Sequence, residues 1–363
     1  MTAQLTDALR SALRESGSAL ADCPLETMAD KGLAHHHVRI VGSGVLARLP
    51  KQSQMGLAAQ HNLDYQAACF SRAHASGAAP ALHGLLPPSA ALPRGGLMVE
   101  EIVGRTARLP DDLPAIARAL AAIHALPLPP PHERAPLLDD ADPLLALSQE
   151  IDSQAVHLAG AGLAASSLDL IERQRLSLRQ RLDATQRPSL RLISFDAHPG
   201  NFVIRPDGSA VLVDLEKARY SHPPLDLAHA TLYTSTTWDL EVYAELSVDQ
   251  VAATYATWMA HAALGAQDVA WFVPLRAAMW LWSVTWCAKW RALAPAEAQA
   301  NADGQDWSHR HSEAPLIAHV RNRVDHYLSQ AVISRIADEF EALTARFAQV
   351  SHLALQTSIE STT

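Results

Sequence analysis

The chain of 363 residues is poor in cysteine: Cys23, Cys69 and Cys287 are its three, far apart and without a CxxC pair. That scarcity excludes a disulfide framework and a thiolate metal cluster, and predicts free thiols in a reducing compartment. Long apolar runs are lacking as well. Charge or proline cuts each one short of about 18 residues, so no membrane span is expected. The N-terminal stretch MTAQLTDALRSALRESG has no basic-then-apolar layout, which predicts no secretory signal and a cytoplasmic location. There is no basic block, and the net charge is −9. This balance argues against nucleic acid or an anionic membrane as partner and suits a cationic small molecule.

Apolar residues make up 48% and charged residues 18%, a globular composition. The length exceeds the roughly 250–300 residues at which a single core stops growing, so two lobes are expected. Residues 4–20 predict an amphipathic helix. KGLAHHHVRIV and GVLARLP are β-prone runs joined by a turn at Gly42–Gly44, hence a hairpin. Residues 62–77 predict a helix stopping at Gly77, and GGLMVEEIVG (95–104) predicts a strand ending at glycine. Then the pattern turns helical. PDDLPAIARALAAIHAL sets Leu113, Ile116, Ala117, Leu120 and Ile123 at a helical period. A proline-rich loop covers 127–136, helices are expected over 141–184, and the chain beyond 225 reads as helical with a polar interruption near 300–313.

One stretch carries the chemistry. ISFDAHPGNFVIRPDGSAVLVDLEKARY (193–220) crowds Asp196, Asn201, Asp214 and Glu216 around a hairpin. Asp207-Gly208 predicts a two-residue loop, because both central positions need φ > 0. Counted down from that loop, Arg205 faces Ala210, Ile204 faces Val211 and Asn201 faces Asp214. Residues so opposed have Cβ atoms about 4.5–5.5 Å apart. An amide oxygen and a carboxylate meeting there are hard donors, suited to Mg²⁺ rather than zinc. Glu216 shares the face of Asp214 if the strand continues. The turn at Pro199-Gly200 holds Asp196 near this pair but off the strand, the place for a base that orients a hydroxyl nucleophile. Singly, each residue also reads as solvated turn polarity; the spaced set reads as a site.

D-x-H-P-G-N, a hairpin, D-L-E, and D-L-A at 226–228 together resemble the aminoglycoside phosphotransferase and choline kinase-like family, small-molecule relatives of the protein kinases. GLAHHHVRI is similar to that family's phosphate-covering loop, GVLARLP to its third strand, GLMVEEIVG to its hinge and ALAAIHALPLP to the helix after it. The resemblance covers roughly residues 28–230. It implies an α+β, bilobal protein-kinase-like fold: an N-terminal lobe over 1–103 with a small antiparallel sheet, and a helical C-terminal lobe over 104–363 carrying the catalytic loop and hairpin (193–216). It implies ATP and Mg²⁺ as cofactors, Asp196 as the catalytic aspartate, and Asn201 and Asp214 as the metal ligands. Arg48 would touch the ATP phosphates, with Gly32 and His35 in the covering loop. The hinge from Glu100 to Ile102 would meet adenine. Ser194, His198 and Asp226 would support the catalytic loop. Three departures stand out. Gln66 replaces the helix glutamate that pairs the strand-three cation, although a glutamine still has a hydrogen bond to offer Arg48. The catalytic loop reads Ser194-Phe195-Asp196 where H-x-D is common, and the covering loop is glycine-poor.

Three adjacent histidines, His35 to His37, alternate sides of a strand and cannot share one metal; His35 reads either as a phosphate contact or as a surface residue. Trp282, Trp286 and Trp290 fall on one helical face within LRAAMWLWSVTW, which reads as a buried core helix. The alternative is an aromatic cage for an ammonium. Candidates to hold the acceptor are therefore Glu216, Trp238, Trp282 and Trp286. The acidic residues Asp239, Glu241, Glu245 and Asp249 read as an amine attractor or as a solvated helix face. Asp214 to Asp226 is too short for an activation segment that docks a peptide. The expected activity is ATP- and Mg²⁺-dependent phosphorylation of a small-molecule hydroxyl, on an amine-containing alcohol or sugar. An aminoglycoside resistance kinase and a nucleotide-binding pseudokinase are the alternatives, the latter kept open by Gln66.

Overall fold

A computed structural model of the chain describes residues 2–29, 34–183, 186–262, 266–293 and 314–360. Gly32 and the polar stretch at 300–313 lie outside the described residues. Helix α1 (Thr2–Glu15) precedes strands β1 (Leu25–Thr27), β2 (His35–Ile40) and β3 (Val45–Pro50). Helix α2 (Ala59–His74) follows, then β4 (Leu82–Leu86) and β5 (Gly96–Glu100). The strands form one antiparallel sheet of five in the order β1-β2-β3-β5-β4.

Period-two alternation decides what each face of this sheet carries. Val38 and Ile40 of β2 and Ala47 and Leu49 of β3 pack with Leu9 and Leu13 of α1. On the opposite face Leu97 and Val99 meet Leu63 and Phe70 of α2, with Leu46 against them. Arg48 shares the parity of Leu46. An arginine is thus buried beneath α2 while the apolar alternation runs on around it.

The remaining elements are mostly helical. They are β6 (Arg105–Thr106), α3 (Leu113–His124), α4 (Pro143–Ala155), α5 (Ala165–Leu182), β7 (Arg191–Ile193), β8 (Phe202–Ile204), β9 (Ala210–Leu212), β10 (Arg219–Ser221), α6 (Pro224–Thr231), α7 (Tyr233–Thr236), α8 (Val248–Met259), α9 (Ala266–Val269), α10 (Phe272–Leu293), α11 (Ala314–Tyr327) and α12 (Gln330–Glu360). Helix α10 is the centre of this lobe. Leu275, Met279, Trp280 and Leu281 are fully buried along it, and α4, α5, α6, α11 and α12 pack around it. No helix among the described residues is long and apolar enough to cross a membrane.

Three expectations are corrected. The strand begun at Gly96 stops at Glu100 rather than Gly104: its partner β3 begins at Val45, a last rung from the Glu101 N–H to the Gly44 carbonyl at 2.8 Å closes the pairing, and from Arg105 the chain pairs with β8 instead. Residues 237–247 form no helix, so the acidic residues at 239–245 stand on a loop. The 193–220 hairpin is shifted by one: Phe202 faces Leu212, Val203 faces Val211 and Ile204 faces Ala210. Its loop has three residues, Pro206 to Gly208, closed by Arg205 N–H to Ser209 O at 2.8 Å, with Gly208 left-handed at φ 83°. A type I turn followed by a left-handed glycine is the common three-residue solution. Asn201 consequently lies opposite Val213, whose N–H donates to the Asn201 carbonyl at 2.9 Å, and Asp214 falls one residue beyond.

Candidate active site

Strand β3 delivers Arg48 to the end of the β8–β9 hairpin, where it is buried. Its guanidinium sits 5.3 Å from the Phe70 ring and donates to the Val213 carbonyl at 2.9 Å and to Asp214 Oδ1 at 2.8 Å. Burial alone would push the Asp214 carboxyl up. Arg48, with Lys217 nearby, instead holds it well below the usual carboxylate range. The buried arginine thus keeps the partly buried aspartate charged.

His35 is 3% exposed rather than a surface residue. Its Nε2 is 3.0 Å from Gln66 Oε1, and Nδ1 is 3.5 Å from Arg48 Nη2. This network puts the proton on Nε2, leaving Nδ1 to face the guanidinium. Burial, and then Arg48, lower its pKa well below 6.5, so the ring is neutral. Gln66 thus bonds His35 and not Arg48, a correction with a steric reason: the imidazole stands between them. The Gln66 amide nitrogen has no partner.

The loop bearing Asp196 hangs on Asp226, in the first turn of α6. Asp226 Oδ2 accepts from Ser194 N–H at 2.7 Å and from His124 Nε2 at 3.1 Å. Its Oδ1 accepts from Phe195 N–H at 2.8 Å and from Ser194 Oγ at 3.2 Å. Trp258 Nε1 donates to His124 Nδ1 at 3.0 Å, which fixes the ring. So held, Phe195 adopts φ 58°, a left-handed conformation costing about 1–2 kcal/mol in a residue with a side chain.

Asp196 follows, its N–H bonded to Ser194 Oγ at 3.1 Å. Lys217 Nζ donates to Oδ2 at 2.9 Å, and His229 Nδ1 lies 3.8 Å from Oδ1. Burial favours the neutral acid, yet Lys217, His229 and His198 together lower the pKa. His198 and His229 are themselves shifted down by burial, His229 to about 4, and both Nδ1 atoms lack partners. Gly200 lies so close to this group that a Cβ there would come 2.8 Å from Asp239 Oδ2 and 2.9 Å from the His198 ring. That close approach demands glycine.

Asn201 donates from Nδ2 to the Asp196 carbonyl at 2.8 Å, using an N–H and not the amide oxygen. Strand β9 ends at Leu212, so Glu216 does not extend it. Glu216 is buried instead, 3.8 Å from His35 Nε2, with Oε1 unpartnered; burial and Asp214 push its pKa up to about 8. Among the described residues no three histidine, cysteine or carboxylate side chains gather into a metal cage. The donors at hand are two carboxylates and an amide oxygen, one carboxylate oxygen being orphaned. Such a set fits Mg²⁺, which keeps several waters and takes one or two carboxylates.

In the segment expected to act as hinge, Glu100 accepts the Ala81 N–H at 3.1 Å and pairs with Arg205 at 3.1 Å, while Ile102 is half-buried. The tryptophans divide. Trp258, Trp271, Trp280 and Trp290 are buried. Trp282 donates to Glu150 Oε1 at 2.7 Å and meets Phe195 edge-on at 5.3 Å, packing on the loop that bears Asp196. Trp238 stacks on Tyr327 at 6.3 Å and meets Trp286 edge-on at 6.1 Å, a separate aromatic cluster. Glu245 and Asp249 pair with Arg335 and Arg346. Motif reading passed over Lys217; its signal was one of only four lysines falling inside D-L-E-K.

A model of the phosphotransferase enzyme family matches residues 47–264. No curated protein matches the chain. Among solved structures, a choline/ethanolamine kinase family protein from Mesorhizobium loti aligns at 17% identity and TM-score 0.56, over 93% of this chain and 99% of its own. The GDP complex of aminoglycoside 2'-phosphotransferase-IIIa aligns at 15% identity and TM-score 0.57, over 88% and 97%. An ethanolamine kinase from Plasmodium vivax aligns at 12% identity and TM-score 0.57, over 90% and 89%. The shared architecture is the bilobal protein-kinase-like fold.

Proposed function

The chain belongs to the phosphotransferase enzyme family as a small-molecule kinase, and from that premise we propose that it transfers the γ-phosphoryl group of ATP, with Mg²⁺, to a hydroxyl of an amine-bearing alcohol or sugar. One observation carries this reading: Arg48 bonds Asp214 and Asn201 bonds the Asp196 carbonyl, so one hairpin and one loop bring the four residues together. Phosphoryl transfer needs positioning and charge stabilisation more than a strong base.

Asp196 would accept a hydrogen bond from the acceptor hydroxyl and take its proton late. Arg48 would lend positive charge to the phosphates while keeping Asp214 ionised. Asn201 and Asp214 would hold Mg²⁺, with the orphaned oxygen of Glu216 behind them; when bound, the ion supplies positive charge beside the transferring group. His35 and Gln66 would hold Arg48 in place. Asp226, Ser194 and His198 would keep the loop rigid. The hinge at Glu100 to Ile102 would receive the base. Trp282, beside Phe195, would face the acceptor, and Asp239, which approaches Gly200, would suit an amine.

A thermal-shift titration tests this. The melting temperature should climb with Mg·ATP concentration, as linkage requires, and Asp214→Ala should remove the climb. Ethanolamine, choline, thiamine and kanamycin, added with Mg·ATP, should reveal an acceptor by a further shift and by ADP release. No shift with millimolar Mg·ATP or Mg·GTP would defeat the nucleotide site.

A further inference from the structure

Lys217 stands outside the motif residues, yet it makes the closest side-chain contact to Asp196, with Nζ 2.9 Å from Oδ2. Both side chains are largely buried, 15% and 13% exposed. The backbone aims it there. After β9 the chain turns at Leu215 to Ala218, closed by Ala218 N–H to Leu215 O at 2.9 Å. The Ala218 carbonyl accepts from the Tyr65 hydroxyl of α2 at 2.7 Å, so the turn is tied to the other lobe.

The ammonium also lies 5.6 Å from the Trp282 ring. That ring is itself fixed by Glu150 and set edge-on against Phe195, the residue preceding Asp196. Arg219 lies 3.8 Å over the same Phe195 ring. A cation on an aromatic face is held by the ring quadrupole. Lys217 is therefore located from two sides: by the carboxylate it bonds and by the indole beneath it.

The consequence is an inequality between the two oxygens of Asp196. Oδ2 is engaged by Lys217. Oδ1 has His229 Nδ1 at 3.8 Å, beyond hydrogen-bond reach. We propose that Lys217 is a positioning residue that acts through Asp196, pinning Oδ2 so that Oδ1 is the oxygen presented to the acceptor hydroxyl. This inference rests on the role given to Asp196 above. In the step it serves, the acceptor oxygen bonds to phosphorus and the bond from phosphorus to the bridging oxygen breaks. The electron pair leaves with the nucleoside diphosphate, and the acceptor proton passes to Oδ1. A carboxylate free to rotate loses that aim, and misplacement by about 1 Å costs on the order of 100-fold in rate.

The plain alternative is a counter-ion that only keeps the fold intact. Steady-state hydrolysis of Mg·ATP by the full chain, with water as acceptor, separates the two. Lys217→Met should lower kcat about 100-fold, leave KM for ATP within about threefold and keep the thermal shift by Mg·ATP. Lys217→Arg should regain part of the loss, because a charged donor returns on a different stem. On an Asp196→Asn background Lys217→Met should add little, as expected of two residues acting as a unit. Wild-type kcat in Lys217→Met, a raised KM with kcat intact, or losses that multiply in the double variant would each overturn the proposal. So would failure of both Lys217→Met and Lys217→Gln to fold, which would make the lysine structural. A wild-type chain that neither binds nor hydrolyses Mg·ATP would defeat the kinase reading itself.

Discussion

The Gln66 side-chain oxygen takes its hydrogen bond from His35 Nε2 at 3.0 Å, with both residues buried. This contact replaces the direct helix-to-strand pair that the sequence pattern suggested. A polar chain runs instead from Gln66 through His35 to Arg48 and Asp214, from α2 to the hairpin. His35→Leu keeps the bulk but leaves the Gln66 oxygen unpaired beside an amide nitrogen already without a partner. The expected loss is about 1–3 kcal/mol, the cost of a buried unsatisfied group. It should appear as a lower urea midpoint at unchanged slope. An unmoved midpoint would mean the chain carries no stability.

Asp226 offers a sharper case, because an isosteric change is enough. Each of its oxygens accepts two hydrogen bonds, from Ser194 N–H and His124 on one side and from Phe195 N–H and Ser194 Oγ on the other. Whichever way the amide of Asp226→Asn turns, its NH2 faces two donors. The expected cost is about 2–4 kcal/mol. Phe195 at φ 58° should then relax, and turnover per folded molecule should drop at least about tenfold, since the strained loop is held by these bonds. Denaturation and turnover measured on the same preparation check both parts.

The hairpin shows how far the sequence could be read. Its existence and its oxygen-bearing residues were legible from Asp-Gly between two β-prone runs. Its register was not, because Asp-Gly also ends a three-residue loop, and the two loops differ by one residue in pairing. Gly208 at φ 83° marks the loop that forms. Gly208→Ala should cost about 1–2 kcal/mol through its left-handed backbone, with no change in Mg·ATP affinity. A two-residue type I' loop would make Asp207 equally sensitive to substitution by alanine through its own backbone; here Asp207 has negative φ and acts through its side chain, bonded to Ser209 N–H at 2.9 Å.

What the sequence hid has one physical character. Period-two alternation put Arg48 on the face away from α1, and the helical period put Trp280 in a core helix. Neither period says which residue from a distant element will arrive opposite. Lys217 on Asp196, His35 between Gln66 and Arg48, and Trp282 on Phe195 are all such arrivals, set by tertiary packing. The acidic residues misled for a related reason. Glu245 and Asp249 looked available for an amine, but α12 brings Arg335 and Arg346 to them.

The buried titratable groups set opposing pH limbs. Burial lowers the pKa values of His35, His198, His222 and His229, the last from 6.5 to about 4. The unfolded chain takes up these protons near pH 6.5 while the folded chain resists. Stability from the histidines is therefore full above about pH 6.5 and falls as the pH drops toward 4; His229 alone accounts for about 3 kcal/mol. Glu216 has the reverse sign. Its pKa is raised from 4.5 to about 8 by burial and Asp214, so its contribution is full below 4.5 and is lost as the pH rises through 8. Between 4.5 and 6.5 the two signs oppose each other, and once the unfolded imidazoles have lost their protons, above about pH 7, the carboxyl acts alone. The urea midpoint of the metal-free chain should therefore peak between about pH 6.5 and 7 and fall toward both about pH 5 and about pH 8.5. His229→Gln should flatten the acid limb and Glu216→Gln the alkaline one. A flat profile across this range would show that these groups titrate in the folded chain as they do in water.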